Sequence, residues 1–287
     1  MISAILYYCI IPLFVSWVGI RYGSQIYKKR EEKRIQDLYA KTPKDLVILH
    51  CFPMTSLPLG TCIPWDLKIE LFCRMGKIKY QKDTNHPFGV KSKTPWISIN
   101  GAHVSDSHLI LQFLKKKFDV NFPNNYTKEE LSTARAVRVM LEERWYWAMP
   151  LWRFIRPDGW TQFAKDFGRV GSFTWPIPLR LVRLYWKRIL SNEVNAHGIG
   201  RHSREERDAM FLGDLQTVSD ILGEKKYILG NEPCEEDCAI FGQIAQAVWG
   251  LPDSPYSNFI NEKASNLKAY CERIRSQYWA DEWAFEY

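Results

Sequence analysis

The segment 92–114, SKTPWISINGAHVSDSHLILQFL, restricts the possible folds most because it holds a complete strand–turn–strand–helix unit. Residues 96–100 form a short apolar run that Pro95 precedes, and the pair Asn100–Gly101 is typical of a tight hairpin turn. A short strand near 103–104 follows, and the polar residues 105–107 resemble the cap that opens a helix. The segment therefore predicts a β-hairpin that leads directly into a helix.

The chain before this hairpin predicts two more strands around one helix. The apolar, β-branched run 45–52 is bounded by Pro53 and is typical of a buried strand. Pro64 suits the first turn of a helix that ends at Gly76, and 77–83 alternates as an edge strand does. One apolar face of that helix is predicted from Trp65, Ile69, Phe72 and Cys73. The expected order is β-α-β-β-β-α, an α+β arrangement.

The chain after residue 121 predicts helices. One apolar stripe runs along 134–145, and another along 211–222. The second stripe is opened by a capping box, Ser203 with Glu206, and closed by Gly223. We therefore predict four parts: a transmembrane anchor at 1–21, a basic juxtamembrane linker at 22–44, an α+β domain at 45–120 and an all-helical domain at 121–287.

The anchor is predicted from an apolar run at 2–20 that carries no charged side chain. A helix of this length spans a hydrocarbon core of about 30 Å. Residues 21–34 hold six Lys or Arg and two Glu. A cleaved signal peptide would place its positive charges before the run, whereas here they follow it. The pattern predicts an uncleaved single-pass membrane protein whose body faces the cytosol.

The charge and the cysteines bear on partners. The net charge is +7, of which residues 21–34 supply +4, so the body gives little support for nucleic-acid binding. The seven scattered cysteines form no CxxC pair and indicate reduced thiols. Cys234 and Cys238, four residues apart, fall short of the four ligands of a typical zinc site, so we expect no metal. Arg180, Arg183 and Lys187 form a basic stripe, which suits either a solvated helix face or a lipid surface.

This order of elements, followed by an all-helical domain, resembles the glutathione transferase superfamily. The resemblance implies that the peptide before Pro95 is cis and that the backbone of Thr94 pairs with the cysteinyl part of glutathione. It also implies that Asp106 and Ser107 hold the γ-glutamyl end of this ligand, the acid binding the amine and the serine binding the carboxylate. A helix N-terminus attracts anions, although the same two residues also suit a plain helix cap.

A narrower resemblance covers roughly 45–283. The motifs ILHCFP, PWDLKIELFCRMGKIKY, TPWISINGAHVSDSHLI and DLQTVSDILGEKKYILGNEPCEEDCAIFGQIAQ are similar to the failed axon connections family, which includes the nematode cadmium-responsive proteins. This implies a thioredoxin-like domain, a glutathione transferase C-terminal-like domain, and a role in detoxification or stress response, such as to cadmium, with glutathione conjugation as one option. The alternative is a non-catalytic, metaxin-like interaction protein, for example in axon development or organelle-surface complexes. A homodimer or a related-family partner is also implied.

One departure from the family concerns the start of the first helix. The family commonly has Ser-Pro-x-Cys-x-Lys, whereas this chain has Ile63 at the serine position and Asp66 at the cysteine position. Asp66 is no thiol nucleophile, and its charge would disfavour a neighbouring glutathione thiolate. The candidate catalytic residues are therefore Ser56, Thr61 and Cys62 in the preceding loop, among which the sequence does not choose. If Cys62 faces the ligand site, we expect oxidised glutathione to modify it selectively, because thiols near a helix N-terminus are the more acidic ones.

Overall fold

The computed structural model describes residues 42–52, 59–89, 93–123, 125–168 and 179–279, together with scattered residues between 22 and 37. The predicted membrane helix at 2–20 lies outside the described residues. Among the helices that are described, none is both long and apolar enough to cross a membrane.

The first part of the described chain is built on a four-stranded sheet of order β2-β1-β3-β4. Strand β1 pairs with β2 in parallel and with β3 in antiparallel fashion, and β3 pairs antiparallel with β4. Edge strand β2 and the element order agree with the sequence prediction, and the fold is thioredoxin-like. The elements are β1 Val47–His50, α1 Pro64–Met75, β2 Tyr80–Asp83, β3 Trp96–Ile99, β4 Ala102–Ser105 and α2 Ser107–Phe118.

The second part contains helices and turns throughout the residues that the structure describes. The capping box of Ser203 and Glu206 is present as predicted, and Gly223 ends the same helix at a φ of 52°. The helices are α3 Lys128–Glu143, α4 Pro157–Gly168, α5 Leu179–His197, α6 Arg204–Leu222, α7 Glu236–Ala245, α8 Pro255–Lys263 and α9 Ser265–Tyr278. Short 3₁₀ or π turns occupy Trp145–Trp147, Leu151–Ile155, Ile199–Arg201 and Gln246–Gly250, and a single α turn Ala148–Pro150 lies between the first two.

The two parts join where α7 packs on α1. The two helices approach closely at Gly242 of α7, where an added Cβ would lie only 2.4 Å from the carbonyl oxygen of Pro64. Because helix α1 has neighbours on both sides, it is buried almost all round, and this includes Asp66, Lys68 and Glu70. The sequence predicted that only one face of this helix is buried, and this prediction underestimated how much of the helix surface is covered. The polar residues of α1 are therefore held inside the protein.

Candidate functional site

The start of β3 and the start of α2 lie side by side at one end of the sheet. The Thr94–Pro95 peptide is cis, as the resemblance implied. Antiparallel pairing places Trp96 opposite Ser105, so Pro95 and Asp106 are neighbours just beyond the paired residues. The Thr94 hydroxyl is buried and makes no hydrogen bond. The hairpin thus brings together all four residues that were predicted to contact glutathione: Thr94, Pro95, Asp106 and Ser107.

Asp106 is the N-cap of α2. Its Oδ1 accepts hydrogen bonds from the backbone N–H groups of His108 and Leu109, at 3.1 and 3.4 Å, and its Oδ2 lies 3.4 Å from the Lys93 ammonium. Partial burial works against ionisation, but these backbone N–H groups and Lys93 outweigh it and hold the pKa of Asp106 below its usual range. The carboxyl group is therefore an anion at neutral pH. Its Oδ2 contacts the exposed Lys93 and can accept a hydrogen bond from a ligand amine.

The hydroxyl of Ser107, in the first turn of α2, meets a buried cation. The Lys68 ammonium donates to Ser107 Oγ at 3.2 Å and to Glu142 Oε1 at 2.6 Å. Glu142 is paired in turn with Arg138, which also contacts Glu236 at 2.6 Å. This network joins α1, α2, α3 and α7. A carboxylate bound at Ser107 would therefore also have a positively charged partner in Lys68. The sequence analysis did not identify Lys68 as a site residue, although this lysine interrupts the apolar residues of α1.

Thr61 lies at the end of the loop before α1. Its hydroxyl donates to Asp66 Oδ2 at 2.6 Å and accepts the N–H of Ile63 at 3.0 Å. Burial raises the pKa of Asp66 to about 7, and the Thr61 hydrogen bond offsets part of the rise. Asp66 is thus partly protonated at neutral pH, and its repulsion of a thiolate is weaker than the sequence indicated. In this arrangement the one hydroxyl proton of Thr61 is donated to Asp66. A role for Thr61 in activating a thiol stays a prediction.

The helical part of the chain holds this loop in place. Arg153 donates to the carbonyl oxygen of Cys62 at 2.6 Å and to the side chain of Gln246 at 2.6 Å. Gln246 donates in turn to the carbonyl oxygen of Thr61 at 3.3 Å. Both side chains are almost fully buried. Arg153 and Gln246 therefore fix the backbone on which two candidate catalytic residues stand. The third candidate, Ser56, lies outside the described residues.

Cys62 is partly exposed, whereas the other described cysteines are buried. Burial raises the pKa of its thiol above the usual value, and the Arg153 charge offsets only part of that rise. The expectation of an acidic thiol from the nearby helix N-terminus is therefore wrong. The physical reason is that loss of water around the sulfur outweighs the positive charges near it.

We expect oxidised glutathione to modify Cys62 before Cys51 and Cys73, because Cys62 is a partly exposed residue and the other two are buried. The reaction should be slow at pH 7 and should speed up as the pH rises, since the thiolate is the attacking species. Mass spectrometry of timed samples at several pH values measures this. Equal modification of all three cysteines, or a rate that does not change with pH, would contradict the expectation.

A buried polar cluster in the sheet has the connectivity of a catalytic triad. His50 Nδ1 lies 2.8 Å from Asp83 Oδ2, and His50 Nε2 lies 2.8 Å from Ser98 Oγ. The His50 ring stacks on Trp96 with 3.6 Å between centroids. Burial lowers the pKa of His50 to about 4, against the opposing effect of Asp83. Because His50 is 0% and Ser98 1% exposed, no substrate reaches the hydroxyl, and the cluster stabilises the sheet beneath the candidate site.

In the described part of the chain, no group of three or more His, Cys, Asp or Glu side chains could hold a metal ion. Cys234 and Cys238 are both buried, and the Cys238 sulfur packs 3.7 Å from the sulfur of Met75. The Cys238 thiol therefore contributes to the contact between α7 and α1.

The chain is similar to known glutathione S-transferases in both of its parts. The profile of the glutathione S-transferase N-terminal domain matches residues 64–159, and that of the C-terminal domain matches 212–274. Over 202 residues the chain is 30% identical to isoprene-epoxide–glutathione S-transferase from Rhodococcus sp. (strain AD45), covering 68% of this chain and 81% of the relative.

Two further relatives have names that do not include a transferase activity. Failed axon connections of Drosophila melanogaster is 27% identical over 250 residues, covering 83% of this chain. The chain spans only 59% of the length of that relative. Metaxin-2 of Homo sapiens is 25% identical over 231 residues, covering 75% of this chain and 78% of metaxin-2.

Solved structures share the fold at low sequence identity. A glutathione S-transferase from Methylobacterium radiotolerans, in complex with glutathione sulfonate, has a TM-score of 0.52 and 14% identity, covering 84% of this chain and 96% of its own. The beta-etherase LigF from Sphingobium sp. strain SYK-6 has a TM-score of 0.51 and 16% identity, covering 80% of this chain and 95% of its own. At these identities the likeness concerns the fold alone.

Proposed function

We infer the function of this protein from its family: the chain belongs to the glutathione S-transferase-like family that includes Failed axon connections and is related to the metaxins. We propose that it binds glutathione and acts in detoxification or stress response, such as to cadmium, with glutathione conjugation as the candidate reaction. Its transferase relative from Rhodococcus is named for joining glutathione to an epoxide.

The observation that carries the proposal is the anionic cap Asp106 at the end of the hairpin, directly before Ser107 and its contact with the buried Lys68 ammonium. The backbone of Thr94 would pair with the cysteinyl part of the ligand. Asp106 would bind the γ-glutamyl amine, while Ser107 and Lys68 would bind the γ-glutamyl carboxylate. Opposite charges at these positions match the two charged groups at that end of the tripeptide.

Calorimetric titration of the full-length protein in detergent micelles with reduced glutathione tests the proposal. The matched control ligand is the dipeptide Cys-Gly, which keeps the thiol and lacks the γ-glutamyl group. We expect binding of glutathione in the millimolar range or tighter and much weaker binding of the dipeptide. Equal binding of both ligands would remove the assignment of Asp106, Ser107 and Lys68 to the γ-glutamyl end.

A second candidate function is a non-catalytic, metaxin-like interaction protein. It is favoured by the state of two candidate catalytic residues. The Thr61 hydroxyl donates its proton to Asp66, and burial raises the pKa of the Cys62 thiol. Such a protein would keep the fold as a scaffold in organelle-surface complexes or, as the name of the Drosophila relative suggests, in axons. It would assemble as a homodimer or with a related family member. Absence of glutathione binding at millimolar concentration would favour this function.

The membrane anchor at 1–21 is part of the proposal. Its support is the uncharged run at 2–20 followed by the basic residues 21–34. We expect the full-length protein to stay in the membrane pellet after alkaline carbonate extraction and its body to be digested by protease added on the cytosolic side. Release into the supernatant would exclude the anchor. Protection of the body from protease would reverse the proposed orientation.

A further inference from the structure

One face of helix α5 leaves three large apolar side chains in solvent. Leu181, Leu184 and Tyr185 are 50%, 64% and 62% exposed. Their spacing of three and four residues places them together on one side of the helix. Exposed apolar residues scattered singly are ordinary, but a group of this kind marks an interaction surface.

The opposite side of α5 is fixed to the protein, so this exposure is a stable property of the fold. Val182, Leu190 and Val194 are at most 9% exposed. Arg183 donates to the carbonyl oxygen of Phe154 at 3.3 Å, and its guanidinium lies 5.3 Å from the centre of the Trp160 ring. The helix therefore has no freedom to turn its apolar face inward.

The apolar group is flanked by positive charge. Arg180, Lys187 and Arg188 are exposed and lie along one side of the apolar group. None of the three forms an ion pair with another described residue, whereas the exposed Lys115, for comparison, pairs with Glu235 at 2.5 Å. Residues 179–192 contain no Asp or Glu, and the first acid on the helix is Glu193. The surface is thus both apolar and cationic.

We propose that the α5 face, defined as Arg180, Leu181, Leu184, Tyr185, Lys187 and Arg188, rests on an anionic lipid bilayer. Apolar side chains that enter the headgroup boundary, with cations beside them to meet lipid phosphates and carboxylates, are the two features of an interfacial helix. A second copy of this chain fits poorly, because a symmetric contact would bring the same cations against each other. The proposal rests on the surface of α5 and is independent of glutathione binding.

The test places a reporter on the α5 face of the full-length protein reconstituted into vesicles. Leu184→Cys carries an environment-sensitive fluorophore, and Val139→Cys on α3, where Val139 is 40% exposed, is the matched control. The unsubstituted protein, labelled in the same way, corrects for reaction at Cys62. One set of vesicles is phosphatidylcholine alone, and the other contains about a quarter phosphatidylserine, which supplies the anionic surface.

We expect blue-shifted emission and quenching by nitroxide-labelled lipid tails at position 184 in the phosphatidylserine vesicles. The signal should be lost in neutral vesicles, at high salt, and in the triple variant Arg180→Glu, Lys187→Glu, Arg188→Glu. Position 139 should report water throughout. A water signal at position 184 in both vesicle types overturns the proposal. Shielding that persists in neutral vesicles also overturns it, and points to a second copy if it grows with protein concentration, or to cover by the chain itself if it does not.

Discussion

Asp106→Asn is expected to lower the affinity for glutathione about tenfold or more and to leave thermal stability nearly unchanged. A hydrogen bond to a charged group contributes about 1.5–3 kcal/mol, which corresponds to about one to two powers of ten in affinity. Asparagine keeps the oxygen that accepts the N–H groups of His108 and Leu109, and it tolerates the φ of 87° at this position. The substitution therefore removes the charge and keeps the cap. Calorimetric titration and thermal melts on the same samples measure both quantities.

Two controls separate ligand binding from helix capping. Asp106→Ala removes the charge and the cap, so it should lose affinity and also about 1 kcal/mol of stability. Thr127→Ala removes the cap of α3, where Thr127 forms a capping box with Glu130, and it should lose stability alone. If Asp106→Asn binds glutathione as well as the unsubstituted protein does, Asp106 is only a cap. The assignment of the γ-glutamyl end is then wrong.

Asp237→Ala is expected to lower the free energy of unfolding by about 3 kcal/mol or more. The carboxylate of Asp237 is fully buried and accepts hydrogen bonds from Ile228 N, Cys234 N and the Tyr270 hydroxyl, at 3.0, 2.9 and 2.9 Å. Alanine leaves two backbone N–H groups without an acceptor inside the protein, at about 1–3 kcal/mol each. For a chain of this size the melting temperature should fall by roughly 6 °C or more.

Urea denaturation measures the loss, and Asp158→Ala is the matched control. Asp158 is also an acid in the first turn of a helix, but its side chain is 66% exposed. Its ion pair with Arg204 is long, at 3.8 Å. Its loss should cost less than about 1 kcal/mol. Asp237→Asn keeps one acceptor oxygen and should fall between the two. If Asp237→Ala and Asp158→Ala are equally stable, the buried cap contributes little, and the contact of α7 with its neighbours is held by apolar packing alone.

The region around Asp237 also shows how far local sequence patterns reach. The motif PCEEDCAIF resembles the N-capping box of the superfamily, with Cys234 at the position of the cap and Asp237 three positions later. The carboxylate of Asp237 does receive the N–H of Cys234, which is one half of a capping box. The helix itself begins at Glu236, and no side chain caps its first residue. The pattern located this hydrogen bond but not the first residue of the helix. It also gave no sign of the hydrogen bonds that Asp237 accepts from Ile228 and Tyr270.

Local chemistry alone determined the order and limits of most elements in this protein. The hairpin after Pro95 and the capping box at Ser203 follow from interactions between residues a few positions apart. The edge strand Tyr80–Asp83 was predicted from its alternating pattern, although its partner β1 is distant in the sequence. The cis peptide at Thr94 was reached through the family resemblance and is present. The predicted pairing of Thr94 with Asp106 at one site needed only the short turn between them.

Tertiary structure decided the charges and access of the site, because both depend on what packs against it from elsewhere in the chain. Burial in the assembled protein raises the pKa of Asp66 to about 7, and burial also raises the pKa of the Cys62 thiol, which a helix N-terminus alone would lower. Lys68 reaches Ser107 and Glu142 only because three helices meet there. Desolvation is a property of the assembled interior, and no spacing along the sequence carries it.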